Sequence, residues 1–276
     1  MNSAGCVGSE SFMKMWMAMT LCMMFAAANA ESLQIGRATL PDSGIYEGEF
    51  KDGLFHGHGK LAWRNRDSYE GTFHQGLMHG KGKYSYGSGH THEGSYGDGI
   101  ANGFGIFTYA SGDRYEGNFV NGGYQGQGTF VARSGDIYIG EFSHGLYHGA
   151  GVFSAGNGEK YEGQFANGLY NGNGVIIHSD GPRTIAEFRN GRVHGRGTTL
   201  FGSGASYVAQ FKDGYWGGAG VFTFVNGDQY QGEFKDGEFH GKGKFIEADS
   251  GATIEGEWLN GRFVDEASGV PPSAEI

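Results

Sequence analysis

Histidine and glutamate are the residue types in this chain whose spacing could support chemistry. The chain has 11 histidines, and five of them recur at one fixed interval or a multiple of it: His56, His79, His148, His194 and His240. Grouped histidines bind zinc, and paired carboxylates hydrolyse glycosides. Glutamate recurs at the same interval, beginning with Glu47 and Glu70. The repeat must therefore be understood before a site is assigned.

The repeat has a period of 23 residues, and we number its positions from Tyr46 as position 1. Nine full copies begin at Tyr46, Tyr69, His92, Tyr115, Tyr138, Tyr161, Thr184, Tyr207 and Tyr230. Position 5 is aromatic in every copy, and positions 8, 12 and 14 are glycine in all nine. Glycine in register marks backbone positions that cannot carry a bulky side chain, whereas glycine without a period is typical of a flexible linker.

Each copy has the pattern of a β-hairpin. Tyrosine, glycine and phenylalanine at positions 1, 3 and 5 share one face of an extended strand, and positions 2 and 4 lie on the other. A turn such as Asp52-Gly53 follows, and Asx-Gly between alternating runs favours a tight hairpin turn. The second strand carries the glycines of positions 12 and 14. We expect both on the aromatic face, with rings lying over them.

The repeated sequence Y-E-G-x-[FW]-x-[ND]-G-x-x-H-G-x-G resembles the MORN (membrane occupation and recognition nexus) repeat. The resemblance extends over about residues 36–263. It implies an all-β fold, an elongated single twisted antiparallel sheet of about nine to ten hairpin repeats. The seventh and eighth copies depart from the motif, because Thr184 replaces tyrosine and Ala186 and Ala209 replace glycine.

The chain is expected to comprise three segments. Residues 1–30 have the features of a signal peptide, since an apolar run too short to span a bilayer ends in an A-x-A pattern, with cleavage between Ala30 and Glu31. Met13 is an alternative start, and an uncleaved anchor or a buried helix is the alternative to a cleaved leader. The array follows at 31–263, with a half repeat at 36–45, full repeats from Tyr46 and a partial repeat at 254–263. A disordered tail is predicted at 264–276.

Cysteine usage and charge exclude several classes of function. Both cysteines, Cys6 and Cys22, lie in the predicted leader, so the mature chain would have no thiol nucleophile and no zinc–thiolate site. The formal net charge is −10. Nucleic-acid binding needs clustered Lys and Arg, and anionic lipids attract basic segments. We therefore predict no nucleic-acid partner and disfavour direct lipid binding.

The repeat explains the histidines and glutamates without a site. Equivalent positions in successive copies lie two strands apart, roughly 9.6 Å at ~4.8 Å per strand. Two ligands of one zinc ion cannot lie that far apart, since each binds at ~2.0–2.1 Å. A repeating ladder also offers carboxylate pairs at glycosidase spacing many times, so that spacing carries no information. We predict no catalytic residue, no cofactor and no metal ligand, and hence no enzymatic activity.

The face opposite the aromatic residues becomes more apolar between the fifth and eighth copies. This trend defines a candidate patch for protein partners or self-association: Ile139, Ile177, Ile185, Leu200, Val208 and Trp216. Ordinary drift among residues that favour strands is the alternative explanation.

The sequence therefore favours an exported, non-enzymatic scaffold for protein–protein interactions, including membrane-proximal ones, with unknown partners and a secreted or periplasmic location. A second hypothesis is an extracytoplasmic glycan- or cell-wall-binding module, in which aromatics such as Trp63, Tyr147, Tyr170 and Trp216 stack on sugar rings. A third is a cytosolic adaptor with a spurious leader.

Overall fold

The computed structural model describes residues 33–212 and 215–264, with side chains described outside 212–217. In these ranges the chain consists of strands and turns, and no helix has the length and hydropathy needed to span a membrane. The predicted leader at 1–30, its cleavage point at Ala30 and Glu31, and nearly all of the predicted tail at 264–276 lie outside the described residues.

The chain divides into two compact units, residues 1–148 and 149–276. The strands of the first unit are β1 (Gln34–Thr39), β2 (Ile45–Lys51), β3 (Leu54–Ala62), β4 (Ser68–His74), β5 (Leu77–Ser85), β6 (Thr91–Gly97), β7 (Ile100–Thr108), β8 (Arg114–Val120), β9 (Gly123–Val131) and β10 (Ile137–Ser143). The strand β11 (Leu146–Ser154) crosses the boundary between the units. The second unit continues with β12 (Lys160–Ala166), β13 (Leu169–Ile177), β14 (Arg183–Arg189), β15 (Arg192–Leu200), β16 (Ser206–Lys212), β17 (Tyr215–Thr223), β18 (Gln229–Lys235), β19 (Glu238–Ile246), β20 (Thr253–Leu259) and β21 (Arg262–Phe263).

Strands that follow one another in sequence pair antiparallel, as the hairpin pattern predicted. The described strands belong to one open antiparallel sheet of 21 strands, so the all-β hairpin-repeat fold is confirmed. The leading strand β1 pairs with β2 and places Gly36 opposite Gly48.

Within the repeats, the described hairpin turns contain two residues, both with positive φ. In the first hairpin Asp52 has a φ of 52° and Gly53 a φ of 77°, and Asn121 and Gly122 repeat the pattern at 49° and 78°. Positive φ at both central residues defines the type I′ turn, whose twist matches that of the flanking strands. The turn predicted from Asx-Gly is therefore present.

The hairpins whose strand register is described each contain a β-bulge that the sequence pattern did not reveal. In the pairing of β2 with β3 the register shifts between Gly48 and Glu49, which leaves extra residues on the second strand. Gly57, at position 12, has a φ of 58°, a conformation that favours glycine. A Cβ on Gly57 would collide with the Glu49 carboxylate, not with an aromatic ring. The expectation that position-12 glycines lie beneath rings is therefore wrong, because the bulge turns them toward the polar face.

The position-1 tyrosine is the centre of packing in each repeat. Tyr46 is 0% exposed. Its ring stacks on Phe55 at 3.8 Å and meets Phe50 and Phe73 edge-on at 5.1 Å each. Because Phe73 belongs to the next repeat, the position-1 tyrosine joins its own copy to the following one. Stacked and edge-to-face pairs of this kind add to the free energy gained by burying the rings.

The tyrosine hydroxyl satisfies backbone carbonyls at the bulge. Tyr46 donates to the carbonyls of Glu49 at 2.8 Å and His56 at 3.4 Å. The same bond to the position-4 carbonyl, between 2.8 and 3.1 Å, is made by Tyr69, Tyr115, Tyr138, Tyr161 and Tyr230. The register shift leaves these carbonyls without their usual ladder partners, and a buried carbonyl without a donor is costly.

Beneath the Tyr46 and Tyr69 rings, glycines of adjacent strands lie directly opposite one another, whereas beneath Tyr207 the pair is Ala209 and Gly220. Gly48 pairs with Gly59, Gly59 with Gly71 and Gly71 with Gly82. We call this line of positions 3 and 14 the glycine row. A Cβ on Gly82 would lie 2.5 Å from Cε2 of Tyr69, closer than real carbon atoms approach.

The third copy buries histidine where the others have tyrosine. His92 is 2% exposed, and its Nδ1 shares a hydrogen bond with the Tyr96 hydroxyl at 2.5 Å. Its Nε2 is buried against Gly105 with no hydrogen-bond partner among the described residues. Burial lowers the pKa of His92 from 6.5 to about 4.

The second unit repeats this packing around a tryptophan. Tyr230 stacks on Phe239 at 3.9 Å and meets Trp258 edge-on at 5.1 Å. The Trp258 indole donates to the carbonyl of Gly243 at 3.2 Å. In the seventh copy Thr184 replaces the tyrosine and Ala186 the position-3 glycine, and the ring of Phe211 lies over Gly197 in the row.

Replacing Gly82 with alanine should destabilise the first unit by about 1–3 kcal/mol, because the added methyl group collides with the Tyr69 ring. Gly97→Ala is the matched control, since its Cβ would meet only Asn102 at an ordinary 3.8 Å. We expect the free energy of unfolding of Gly97→Ala to equal that of wild type within about 0.5 kcal/mol, or to be slightly higher. Urea unfolding measures both, and equal stabilities for the two variants would contradict the glycine-row packing.

Acid should destabilise the protein through His92. The unfolded chain binds its proton near pH 6.5 and the folded chain only near pH 4, so the free energy of unfolding falls as the pH falls across that window. The shift corresponds to about 3 kcal/mol at most, at ~1.36 kcal/mol per pKa unit. His92→Tyr should remove this loss, whereas His58→Gln, at an exposed histidine, should keep it. The urea midpoints of both proteins are measured from pH 7.5 to 4. An equal loss of stability in His92→Tyr and in wild type would show that His92 is not the group responsible.

Candidate interaction surface

Positions 2 and 15 form a cross-strand row on the face opposite the tyrosines. From Arg37 to Glu93 this row alternates in charge, with Arg37–Glu47 at 3.2 Å, Lys60–Glu70 at 3.4 Å and Lys83–Glu93 at 3.9 Å. The six side chains are largely exposed, so each pair contributes well under ~1 kcal/mol to stability. The row therefore acts mainly as a solvated polar surface.

A groove of about 800 Å³ runs across this face of the first unit. Its floor is the backbone of the glycine row, and its lining residues include Glu47, Gly48, Lys60, Glu70, Lys83 and Phe104. The ring of Phe104 is 50% exposed. A smaller groove of about 300 Å³ has the same construction in the second unit, between Lys242 and Glu257. Sequence reasoning missed both, although the two glycine columns that form the floor were the available signal.

The second unit carries an apolar patch on the corresponding face. The register places Val175 opposite Ile185, and Val208 opposite Val221, in the row of positions 2 and 15. Ile177 and Leu200 belong to the neighbouring row, where Arg183 lies between them. The apolar patch is therefore Val175, Ile177, Ile185, Leu200, Val208 and Val221.

Exposure within the apolar patch is unequal. Ile185 is 48% exposed and Leu200 is 40% exposed, whereas Ile177 and Val208 are half-buried. The exposed Arg183 and Arg196 add positive charge on the same face. Aliphatic side chains next to guanidinium groups suit a partner segment with apolar anchors and nearby carboxylates.

The structure brings together four of the six predicted patch residues: Ile177, Ile185, Leu200 and Val208. Ile139 is 55% exposed and belongs to the first unit, where it pairs with Thr129. The side chain of Trp216 lies outside the described residues. Val175 and Val221 were missed, because they occupy position 15, which the sequence argument did not compare with position 2.

Several acidic residues that resemble site residues connect loops of adjacent repeats. The Asp113 carboxylate accepts the backbone N–H of Arg133 at 2.8 Å, and Asp67 accepts that of Gly87 at 2.7 Å. The bond from Arg133 lowers the pKa of Asp113, as expected for a carboxylate that accepts backbone N–H groups. The backbone hydrogen bond therefore explains the lowered pKa of Asp113, and no catalytic role is needed to account for it.

The tyrosines with perturbed pKa values have the same structural origin. Burial raises the pKa of Tyr69 and of Tyr161 to about 12. Both hydroxyls donate to bulge carbonyls in the packed face, at 3.1 and 2.9 Å. A raised pKa keeps the hydroxyl protonated as a donor, which is what the bulge requires.

Comparison with known families agrees with this construction. The MORN repeat model matches nine consecutive segments, at residues 46–68, 69–91, 92–114, 115–137, 138–160, 161–183, 185–206, 207–229 and 230–251. The chain belongs to the MORN-repeat family. The matched segments begin at the position-1 residue in all but the seventh, the copy in which Thr184 replaces the tyrosine.

Solved structures similar to this MORN-repeat chain show low identity. The TCP10 domain of Danio rerio CPAP is 13% identical, with a TM-score of 0.40, and the match covers 81% of this chain and 100% of that one. The TCP domain of Drosophila melanogaster SAS-4 (dCPAP), solved with a proline-rich motif of Ana2 (dSTIL), is 14% identical, with a TM-score of 0.36 and coverage of 54% and 81%. Similarities this weak carry no argument about function. A search of curated proteins gave no significant match.

Proposed function

We propose that this MORN-repeat protein is an exported, non-enzymatic scaffold that binds protein partners through the sheet face opposite the tyrosines. The observation that carries the proposal is the difference in exposure between the two faces. On the tyrosine face the rings are buried by internal packing, since their exposure is 0% at Tyr46, Tyr69, Tyr115, Tyr138 and Tyr230. The opposite face keeps large apolar side chains such as Ile185 in contact with solvent.

The absence of enzymatic activity is inferred from the roles of the titratable groups. The perturbed tyrosines donate to the bulge carbonyls, and Asp113 accepts a backbone N–H from the next loop. The grooves are shallow, with a floor of glycine backbone. Repeat proteins generally use such extended surfaces for binding.

The packing of the aromatic residues favours a protein partner over a glycan. A ring that binds a sugar needs a free face, yet Tyr170 stacks on Tyr161 at 3.7 Å and is only 5% exposed. Tyr147 stacks on Tyr138 at 3.8 Å. Two of the rings named for the glycan hypothesis therefore pack against other rings of the protein.

Export rests on the sequence of residues 1–30, which has the three parts of a signal peptide. A secreted or periplasmic location follows if the leader is cleaved before Glu31. N-terminal sequencing of protein recovered from its native cells tests this directly. A mature start at Glu31 supports export, and an intact leader supports the cytosolic alternative.

The double substitution Ile185→Glu and Val208→Glu should abolish partner binding through the apolar patch, because two carboxylates would have to be desolvated in the contact. We expect at least a ten-fold loss of partner recovery, or a lower mass on a sizing column if the partner is a second copy. Thermal unfolding should change little, because Ile185 is exposed and Val208 is half-buried.

Val225→Glu is the matched control, since Val225 is 68% exposed, apolar and in a loop outside the patch. It should bind as wild type does. If the double variant keeps the partners and the mass of wild type, the patch is not the binding surface.

A further inference from the structure

Three histidines of neighbouring strands form a continuous cluster in the first unit. His56 lies on β3, His74 ends β4 and His79 lies on β5. The ring centroids of His56 and His74 are 5.1 Å apart, and those of His74 and His79 are 5.5 Å apart. The His74 ring therefore stands between the other two.

The repeat explains two of these histidines but not the third. His56 and His79 occupy position 11, where histidine recurs in other copies. His74 occupies position 6, which holds a different set of residues in the other full copies: Lys51, Gly97, Val120, Ser143, Ala166, Arg189, Lys212 and Lys235. The hairpin has no requirement for histidine at position 6, so the cluster is a particular feature of the second copy.

The two ring separations, from His74 to His56 and from His74 to His79, match those of imidazole pairs on one metal ion. Two imidazoles bound to a tetrahedral zinc ion at ~2.0–2.1 Å have ring centres about 5 Å apart. The strands β3 and β5, which carry His56 and His79, lie roughly 9.6 Å apart. A metal ion above His74 on the strand between them would therefore lie about 4.8 Å to the side of each strand. An imidazole Nε2 reaches that distance from its own strand.

The backbone of the cluster is fixed, whereas its rings can turn. His74 immediately precedes the turn at Gln75 and Gly76, with φ of 50° and 85°, and the other two histidines lie within strands. His74 and His79 are exposed, and His56 is half-buried. Among the described residues no hydrogen bond holds any of the three rings, so rotation breaks none.

We propose that His56, His74 and His79 bind a divalent transition-metal ion of the zinc class through their imidazole nitrogens. In their present rotamers no three His, Cys, Asp or Glu side chains of the described ranges are arranged to hold a metal ion, so binding includes rotation of the rings about their side-chain bonds. Three nitrogen ligands, with water completing the coordination, favour zinc, nickel or copper over magnesium and calcium, which prefer oxygen. The ~9.6 Å between the strands of His56 and His79 separates their backbones, not their ring nitrogens, so it does not exclude a shared ion that lies above His74, between the two strands.

The proposal is tested by titrating the untagged protein with zinc chloride in a calorimeter. We expect one zinc ion per chain, and an affinity at least ten-fold lower in His74→Asn. His148→Gln is the matched control, because His148 shares position 11 and the first unit but has Ser143 at position 6 of its copy. It should bind zinc as wild type does, and the far-UV circular dichroism of His74→Asn should be unchanged.

A second readout follows the ligands themselves. Copper(II) added to wild type should give an electron paramagnetic resonance spectrum with nitrogen couplings from several imidazoles, and His74→Asn should lose part of that pattern. Equal zinc affinity in wild type and His74→Asn, or an equal loss in His148→Gln, would overturn the proposal, since either shows binding by scattered surface histidines only.

Discussion

The packing of a tyrosine ring over paired glycines is the interaction on which the rest of this structure depends. The ring covers backbone on two adjacent strands, and its hydroxyl reaches carbonyls that the bulge removes from the ladder. In most copies a side chain at position 3 or 14 would collide with the ring, although the eighth copy accommodates Ala209 beside a buried Tyr207, and a residue without a hydroxyl would leave the carbonyls unsatisfied. One contact thus links the tyrosine, the glycine row and the bulge. The position-5 phenylalanine of the following repeat also contacts the ring, and this contact joins each repeat to its successor.

Several copies depart from this arrangement. His92 keeps an aromatic ring over Gly105 but has a buried nitrogen with no hydrogen-bond partner among the described residues, so we expect that copy to lose stability in acid. Alanine replaces the position-3 glycine in two copies, at Ala186 where Thr184 stands in place of the tyrosine and at Ala209 beside the buried Tyr207. Because packing uses the tyrosine face, the binding surfaces that we propose lie on the other face, where the repeat tolerates change. There the second unit carries apolar side chains and the second copy adds a histidine at position 6.

The hairpins, the turns and the alternation of faces could be predicted, because each depends on residues close together in the chain. Asp52-Gly53 demands a tight turn with positive φ, and alternation separates Tyr46 from Glu47 in any extended strand. The role of Gly57 could not be predicted in the same way. Glycine in register shows that a side chain is excluded, but not whether a ring above or a left-handed φ excludes it.

The sequence by itself determined the repeat, its family and its strand order, since these follow from local periodicity and from turn residues with strong conformational preferences. Only the tertiary structure decided which residues of different copies meet. The bulge shifts the register within each hairpin, and the pairing of β4 between β3 and β5 brings His74 between His56 and His79. Such neighbours across strands depend on register, and a shift of one residue moves every side chain to the opposite face.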